Sequence, residues 1–330
     1  MQIDDLLALA VERSASDLHL SCGHPPLLRI DGELQALARS PLTGIDMDAV
    51  LAVLAPAAQQ RGLSAGHGCD FAVERPAGAR FRASAFVQHH GPALALRPIP
   101  PHVPSLEALE CPPALHAIAD LQWGLVILCG ATGSGKSTTL AALVDHINHR
   151  RRQHILMFED PIEFLHRSHG CLVHQCLLTA GCEQALLRSA LRCDPDVLVI
   201  GEIRDAGTVR LALAAAQSGH LVLATLHAPA AAAAIERLVD MFAPEEKDIV
   251  RGALSESLRA VAAQRLLRRA GGRGRIAQRE ILVTTPAVAR LIREHRTAQL
   301  EHVMQTGAEY GMTTFAQSRQ ALLARGAIAA

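Results

Sequence analysis

Lysine is the scarcest charged residue of this 330-residue chain, because Lys136 and Lys247 are the only lysines among its 32 basic residues. The 32 acidic residues cancel the basic ones, and aromatic residues make up only 3% of the chain. A surface that binds nucleic acid needs a basic face for the phosphates and aromatic rings on which bases stack. The composition therefore argues against a nucleic-acid partner, and none is expected.

Export signals and long apolar runs are also missing. The start, Met1–Asp5, lacks the basic segment and the continuous apolar core of a signal peptide. The longest apolar stretch, Leu211–Leu226, is interrupted by Gln217–His220, which indicates a helix, a turn and a strand rather than a membrane span. These features predict a cytoplasmic protein.

The eight cysteines include no C-x-x-C pair. In a chain without an export signal they are expected to be reduced thiols rather than a disulfide framework. Four of them lie close together at irregular spacing, namely Cys171, Cys176, Cys182 and Cys193. This spacing does not match a structural metal site, so we predict small buried or surface thiols.

The N-terminal part has the pattern of a small α+β domain. Helices are predicted over residues 4–12 and 45–60, and short strands at Ser16–Leu20, Leu27–Ile30, Glu33–Leu37, Phe71–Val73, Ala79–Val87 and Ala93–Leu96. Asp31–Gly32 is typical of a two-residue hairpin turn. The proline-rich segment Pro98–Pro104 cannot continue a helix or a central strand. We therefore predict a first domain over 1–98, a proline-rich linker over 99–105 and a second domain over 106–330.

The second domain alternates apolar strands with helices. Strands are predicted at Leu125–Cys129, His154–Phe158, Val197–Ile200 and Leu221–Leu226, and helices at Ser137–His149 and Ala185–Arg192. Such alternation predicts an α/β fold, a parallel sheet covered by helices on both faces. The remainder, from about Ala230, is predicted to be mostly helical, with one extended interruption at Ile276–Val283.

A phosphate-binding motif lies between the first strand and helix of that domain. Gly130–Ser137 fits G-x-x-x-x-G-K-[ST], in which glycines let backbone amides point at phosphates and the helix N-terminus adds positive charge. Lys136 can reach the terminal phosphates, where a bulkier guanidinium cannot replace it, and the Ser137 hydroxyl can ligate Mg²⁺. The sequence thus predicts a site for ATP and Mg²⁺ formed by Gly130, Ala131, Thr132, Gly133, Ser134, Gly135, Lys136, Ser137 and Thr138.

Two further strands end in carboxylates that suit phosphate chemistry. The carboxyl ends of parallel strands share one edge of the sheet, which is where phosphates bind. Glu202, which follows Val197–Ile200, is predicted to hold Mg²⁺ or its water. Glu159, which follows His154–Phe158, is predicted as the base that readies a water for attack, with Asp160 as a helper.

His227 ends a third strand of the predicted sheet. A single histidine in such a place is often a structural residue, and His220 is so more often still. Beside a γ-phosphate, Thr225 and His227 would instead sense the state of the nucleotide through hydrogen bonds. The sequence leaves both interpretations open.

In order along the chain, these motifs resemble those of the secretion and type IV pilus ATPases, and most closely the pilus-retraction branch. The similar segments are Gly130–Ser137 (Walker A), His154–Phe164 (Asp box), Asp194–Asp205 (Walker B) and Gly219–His227 (His box). The resemblance spans nearly the whole chain. It implies a PAS-like N-terminal domain, a RecA-like ATPase domain and a hexameric motor that powers pilus retraction and twitching motility.

The resemblance also implies further site residues and partners. Arg82 and Arg97 match N-terminal-domain arginines that approach the nucleotide in such rings, where a cation stabilises charge at the γ-phosphate. Arg204 is a further candidate at the subunit boundary. The implied partners are copies of the chain, an inner-membrane platform protein of the pilus machine and a paralogous ATPase. The protein would then be cytoplasmic and peripherally associated with the inner membrane.

Other functions stay open at this point. An assembly or secretion ATPase shares the chemistry, although such members usually carry an extra N-terminal domain and often a zinc insertion, for which this chain has neither room nor ligands. The segment Ala287–Glu294 departs from the retraction signature and is compatible with an accessory paralogue. From another class, a nucleic-acid-dependent translocase is suggested by a basic cluster, predicted as a helix end: Arg265, Arg268, Arg269, Arg273 and Arg275.

Overall fold

The structure is a computed structural model that describes residues 2–30, 32–75, 78–99, 102–178, 189–272 and 274–329. The chain divides into two compact units. The first runs to His102 and includes Pro161–Phe164, and the second comprises Val103–Asp160 together with the chain from Leu165 onward. The sequence did not indicate that Pro161–Phe164 belongs to the first unit.

The first unit contains an antiparallel sheet and three helices. Its strands are β1 (Asp17–Ser21), β2 (Leu27–Ile30), β3 (Glu33–Ala36), β4 (Cys69–Glu74), β5 (Arg80–Gln88) and β6 (Gly91–Ile99), and its helices are α1 (Ile3–Glu12), α2 (Gly44–Leu54) and α3 (Ala57–Ser64). The strand order is β3-β2-β1-β6-β5-β4. Every pairing in this sheet is antiparallel. The unit is therefore the small α+β domain that the sequence predicts.

Two details of the first unit differ from the sequence prediction, and proline explains both. The helix predicted over 45–60 is two helices, because Pro56 holds Ala55 in an extended conformation (ψ 132°) and so ends α2. Strand β6 continues to Ile99, although Pro98 was expected to stop it. Pro98 is tolerated because β1 pairs with β6 only as far as Leu96, so at Pro98 just one edge of the strand, facing β5, is paired.

The second unit is an α/β layer structure. Its strands are β7 (Gly124–Cys129), β8 (His154–Glu159), β9 (Leu172–Leu177), β10 (Val197–Ile200), β11 (Leu221–Leu226), β12 (Leu258–Arg268) and β13 (Arg275–Val283). The helices are α4 (Pro113–Ala119), α5 (Lys136–Arg150), α6 (Ala206–Gln217), α7 (Ala231–Asp240), α8 (Lys247–Ser257), α9 (Pro286–Arg293), α10 (Leu300–Thr306) and α11 (Phe315–Ala324). Short 3-10 turns lie at Pro244–Glu246, Thr297–Gln299 and Ala308–Tyr310.

The seven strands are ordered β13-β12-β7-β11-β10-β8-β9, and only β13 runs antiparallel to its neighbour. Alternate residues of the central strands enter two separate cores. Leu125 and Ile127 lie in one, and Val126 and Leu128 lie in the other, where α4 and α5 pack. Burial on both faces confirms the predicted parallel sheet between helices. No helix within the described residues has the length and apolarity needed to cross a bilayer.

The C-terminal part corrects one prediction. Leu258–Arg268 was expected to be helical, as was most of the chain after Ala230, but it forms β12 between β7 and β13. Its alanines, leucines and arginines favour helix, yet Ala260–Ala263 are buried on both faces of the sheet, and tertiary burial overrides propensity. Strand β9 was also missed. Half of the helix predicted over Ala185–Arg192 lies outside the described residues, as does Cys182, and the described cysteines are free thiols.

Candidate nucleotide site

The predicted phosphate loop joins β7 to α5, and its glycines are required by close packing. Gly135, which precedes the first residue of α5, has a φ of 87°, a conformation that suits glycine. A Cβ at Gly135 would lie 2.7 Å from Nε2 of Gln264, and one at Gly130 would lie 2.4 Å from the Gln264 carbonyl oxygen. Gln264 of β12 therefore packs directly against the phosphate loop.

The polar groups of this loop have the chemistry that a nucleotide phosphate requires. Lys136 is 9% exposed, and its ammonium donates hydrogen bonds of 2.9 Å to the carbonyl oxygens of Gly130 and Ala131. The Ser134 hydroxyl is buried and has no hydrogen-bond partner within the described residues, which is costly unless a ligand supplies one. Ser137 is exposed and Thr138 half-buried. Hydroxyl oxygens and phosphate oxygens are ligands that suit Mg²⁺, so the donors fit both ATP and its metal.

The strand order fixes how far the predicted acids lie from the loop. Strand β11 is next to β7, then come β10 and β8, so His227, Glu202 and Glu159 follow the loop in that order along the carboxyl edge. Adjacent strands are about 4.8 Å apart. The backbone that leads to Glu202 is therefore about 10 Å from β7 and that of Glu159 about 14 Å. Both acids lie on the predicted edge.

Glu202 is the centre of a charged network at this edge. One carboxylate oxygen lies 2.9 Å from Nε2 of His227, and the other lies 2.8 Å from Nε of Arg204. Arg204 also contacts Asp160, with 3.1 Å between the guanidinium nitrogen and the carboxylate oxygen. The hydrogen bond to Glu202 raises the pKa of Arg204. The cluster therefore joins residues of three predicted motifs, namely His154–Phe164, Asp194–Asp205 and Gly219–His227.

Glu159 is held by a strand that the sequence analysis missed. Its carboxylate oxygen Oε1 accepts a hydrogen bond of 2.8 Å from the Gln175 side chain, on β9. Since β9 pairs with β8 in parallel, Gln175 lies beside Met157, two residues before Glu159 along β8. This contact orients the predicted base without neutralising its charge.

Thr225 and His220 both make hydrogen bonds within the fold, and the sensing role considered for Thr225 stays a prediction. Thr225 is 4% exposed, and its hydroxyl donates to the carbonyl oxygen of Gly201, while its own carbonyl accepts from the Ile203 amide at 2.9 Å. These bonds shape the turn that carries Glu202. His220 precedes β11, at the opposite edge of the sheet from the phosphate loop, and contacts Ser218.

Arg82 and Arg97 lie in the first unit, directly opposite each other on β5 and β6. Arg82 contacts carboxylates of Asp70 at 3.4 Å and Glu163 at 3.2 Å, and Arg97 contacts Asp17 at 2.9 Å. Like charges that face each other across a strand pair repel, so these acids stabilise the arrangement. Their predicted approach to a nucleotide stays a prediction.

The basic cluster is not a helix end, as the sequence suggested, but lies around the turn of the β12–β13 hairpin, where Arg268 pairs with Arg275. The Arg265 guanidinium stacks 4.1 Å from the ring centre of Phe315, and Arg269 pairs with Glu110. Arg268 and Arg275 are exposed, and Arg273 lies outside the described residues. Two of these arginines are thus committed to contacts within the fold.

Gln264 is a site residue that the sequence analysis did not find. Its side-chain amide donates to the Ser134 carbonyl at 2.7 Å, and its oxygen accepts from the Thr139 hydroxyl at 2.9 Å and from Arg279 at 3.2 Å. Gln264 thus ties the phosphate loop to the start of α5. No local pattern marks this residue, because the contact depends on β12 being a strand next to β7.

Replacing Gln264 by leucine is expected to raise the KM for ATP about tenfold and to lower the free energy of unfolding by about 2 kcal/mol, because buried partners lose their hydrogen bonds. Gln278 offers a matched control. It is also buried, on the neighbouring β13, but its amide donates at 2.6 Å to the Phe315 carbonyl, away from the loop. Gln278→Leu should lower stability similarly and leave the KM unchanged. Equal KM changes in both variants, measured by steady-state ATP hydrolysis, would contradict a specific role for Gln264.

Comparison with known proteins gives consistent results. The sequence profile of the family described as "Type II/IV secretion system protein" matches residues 2–327. The chain is 45% identical to the type IV pilus retraction ATPase PilT of Pseudomonas aeruginosa, over 99% of this chain and 96% of that protein. It is 47% identical to the uncharacterised protein YggR of Escherichia coli, over 99% of both. The crystal structure described as the pilus retraction motor PilT with bound ADP superposes with a TM-score of 0.88 and 36% identity, covering 100% of this chain and 95% of that one.

Proposed function

The chain belongs to the type II/IV secretion system protein family and is an ATPase of that family, and we propose that it is a motor subunit that powers type IV pilus retraction. The fold is the RecA-like one, preceded by a small α+β domain. The observation that carries the proposal is that the phosphate loop and the cluster formed by Glu202, His227 and Arg204 lie at the same edge of the sheet. The identity to a retraction ATPase supports the choice of branch.

The residues of the loop bind and orient the nucleotide. The amides from Gly130 to Gly135 would surround the phosphates, and the Lys136 ammonium would exchange the carbonyl oxygens that it contacts for phosphate oxygens. Ser137 and Glu202 would hold Mg²⁺, Glu202 directly or through a water. When bound, Mg²⁺ neutralises charge that develops between the β- and γ-phosphates.

The acids of the edge prepare the attacking water. Glu159 accepts the proton of the water while Gln175 holds the carboxylate in place. His227 contacts Glu202 at 2.9 Å, so a change of charge at the terminal phosphate alters the pairing of the imidazole. This contact gives the histidine a route to sense hydrolysis even where it does not touch the phosphate.

We assign the assembly and the partners from the same resemblance. Six copies form a ring, and Arg82 and Arg97 supply cations to a nucleotide once it binds. The ion pairs that these arginines make with Asp70, Glu163 and Asp17 would exchange for that contact. The ring docks on an inner-membrane platform protein of the pilus machine, with a paralogous ATPase as a further partner.

One experiment separates the candidate functions. The chromosomal gene is replaced in its own host by the Lys136→Ala variant, and twitching and surface pili are measured by motility assay and electron microscopy. For a retraction motor, we expect twitching to stop while pili stay on the surface. Loss of pili from the surface would favour an assembly ATPase and would contradict the proposal.

The purified protein provides the second half of this test. We expect Mg-ATP hydrolysis that single-stranded or double-stranded DNA leaves unchanged, because two of the basic residues at the hairpin end are already paired within the fold. Strong stimulation by DNA would instead favour a translocase. Electron microscopy of the same sample with and without nucleotide reports whether six copies assemble.

A further inference from the structure

A cluster of two histidines and one glutamate lies in the second unit, away from the phosphate loop. Glu107 lies in the turn that precedes α4, His116 lies on α4 and His146 lies on α5. One ligand atom from each of the three residues can be chosen so that all lie within 4.8 Å of one another. Between Nδ1 of His116 and a carboxylate oxygen of Glu107 the distance is 3.9 Å, and the two imidazole rings meet edge to face at 5.4 Å.

A second observation points to a ligand at this cluster. The Nε2 atom of His146 is buried and has no hydrogen-bond partner within the described residues. A buried imidazole nitrogen without a partner is unfavourable, and buried polar atoms of this kind often mark an ion or a water. Burial also lowers the pKa of His146.

We propose that Glu107, His116 and His146 bind a divalent transition-metal ion of the zinc class. Two imidazole nitrogens and one carboxylate oxygen are the ligand types that Zn²⁺ accepts, with a water completing four-fold coordination. Mg²⁺ and Ca²⁺ prefer oxygen ligands alone, so the donor set selects against the ion that serves the nucleotide site.

The geometry needs only a small adjustment. In a tetrahedral site with bonds of 2.0–2.2 Å, ligand atoms are about 3.4 Å apart. The three atoms must therefore approach by roughly 1 Å. The Glu107 side chain is 67% exposed and can rotate into place.

This site is distinct from the nucleotide site but shares a helix with it. His146 is ten residues beyond Lys136 on α5, which corresponds to about 15 Å along the helix axis. A metal bridging α5, α4 and the preceding turn would fix the far half of that helix. The same turn continues to Leu109 and Glu110, whose carbonyl oxygens accept hydrogen bonds from Arg279 at 3.1 and 3.2 Å. Metal binding is therefore expected to stabilise the second unit.

The test is a titration of the purified full-length protein with Co²⁺, without nucleotide and with excess Mg²⁺ present. Co²⁺ reports its ligands through its absorption spectrum. Nitrogen and oxygen ligands give weak visible bands, whereas thiolates add a strong near-ultraviolet band. We expect one equivalent of Co²⁺ without the thiolate band, displaced by Zn²⁺. His146→Ala and His116→Ala should each weaken this binding at least about tenfold.

His149→Ala is the matched control, since His149 lies on the same helix and its imidazole contacts Asp145 at 3.4 Å instead of joining the cluster. This variant should bind Co²⁺ like the parent. Glu107→Gln changes an exposed side chain and should weaken binding even if a histidine variant folds poorly. Binding that is equal in all four variants, a spectrum dominated by thiolates, or no binding by the parent protein would each overturn the proposal.

Discussion

Replacing Lys136 by alanine is expected to lower the turnover number for ATP by about a thousandfold or more. The side chain is buried beneath the loop, and its ammonium is held by the carbonyl oxygens of Gly130 and Ala131, so it is already positioned where phosphate oxygens arrive. Removing it deprives the developing charge on the γ-phosphate of a fixed cation. Steady-state phosphate release and a nucleotide-binding titration measure the two consequences separately.

The chain offers an unusually clean control for this prediction, because it has only one other lysine. Lys247 pairs with Asp240 at 2.5 Å on the surface, and such pairs contribute about 0–1 kcal/mol to stability. Lys247→Ala should hydrolyse ATP like the parent. Lys136→Arg should fail almost as completely as alanine, since a planar guanidinium does not fit where a compact ammonium sits between two carbonyls. Turnover by Lys136→Ala at the parental rate would show that the loop is not the phosphate site.

The central sheet was predictable because its signals are local. Each of β7, β8, β10 and β11 is short and consists mainly of apolar residues, as expected for a parallel strand buried on both faces. The glycine-rich loop after β7 is likewise a local pattern, and its position before a helix follows from the spacing of apolar residues. Local patterns therefore sufficed for the fold class and for the phosphate loop.

Strand β12 was not predictable for the opposite reason. Leu258–Arg268 is rich in residues that favour helix, and only its place between β7 and β13 makes it a strand. The features that depend on β12 could consequently not be predicted either. The contact of Gln264 with the phosphate loop and the placement of the basic residues at a hairpin end both follow from that single error.

The contacts between the side chains of the site could not be predicted from local sequence patterns either. The edge position of Glu202 follows from the strand before it, but its contact with His227 and the contact of Arg204 with Asp160 depend on the order β11-β10-β8, which no local pattern encodes. The hydrogen bond from the Thr225 hydroxyl to the Gly201 carbonyl, in the turn that follows β10, depends on the same strand order.

Replacing Glu202 by glutamine is expected to lower the turnover number about a hundredfold to ten-thousandfold while leaving nucleotide affinity nearly unchanged. The amide keeps the size of the side chain but removes the charge that pairs with Arg204 and His227 and that would attract Mg²⁺ or its water. Affinity survives because the loop amides and Lys136 carry most of the binding. Isothermal titration with a non-hydrolysable analogue and single-turnover hydrolysis separate the two quantities.

Asp160→Asn is the control for this variant, because Asp160 is the other acid that Arg204 contacts. If Glu202 acted only by holding Arg204, the two variants would lose similar activity, whereas a direct role at the metal predicts a much larger loss for Glu202→Gln.

The Glu159→Gln variant then distinguishes the roles of the two glutamates. A general base at Glu159 predicts a slow single turnover that higher pH does not restore, with tight Mg-nucleotide binding retained. Parental turnover in Glu159→Gln would assign activation of the water to Glu202 instead, the acid that lies one strand closer to the phosphate loop.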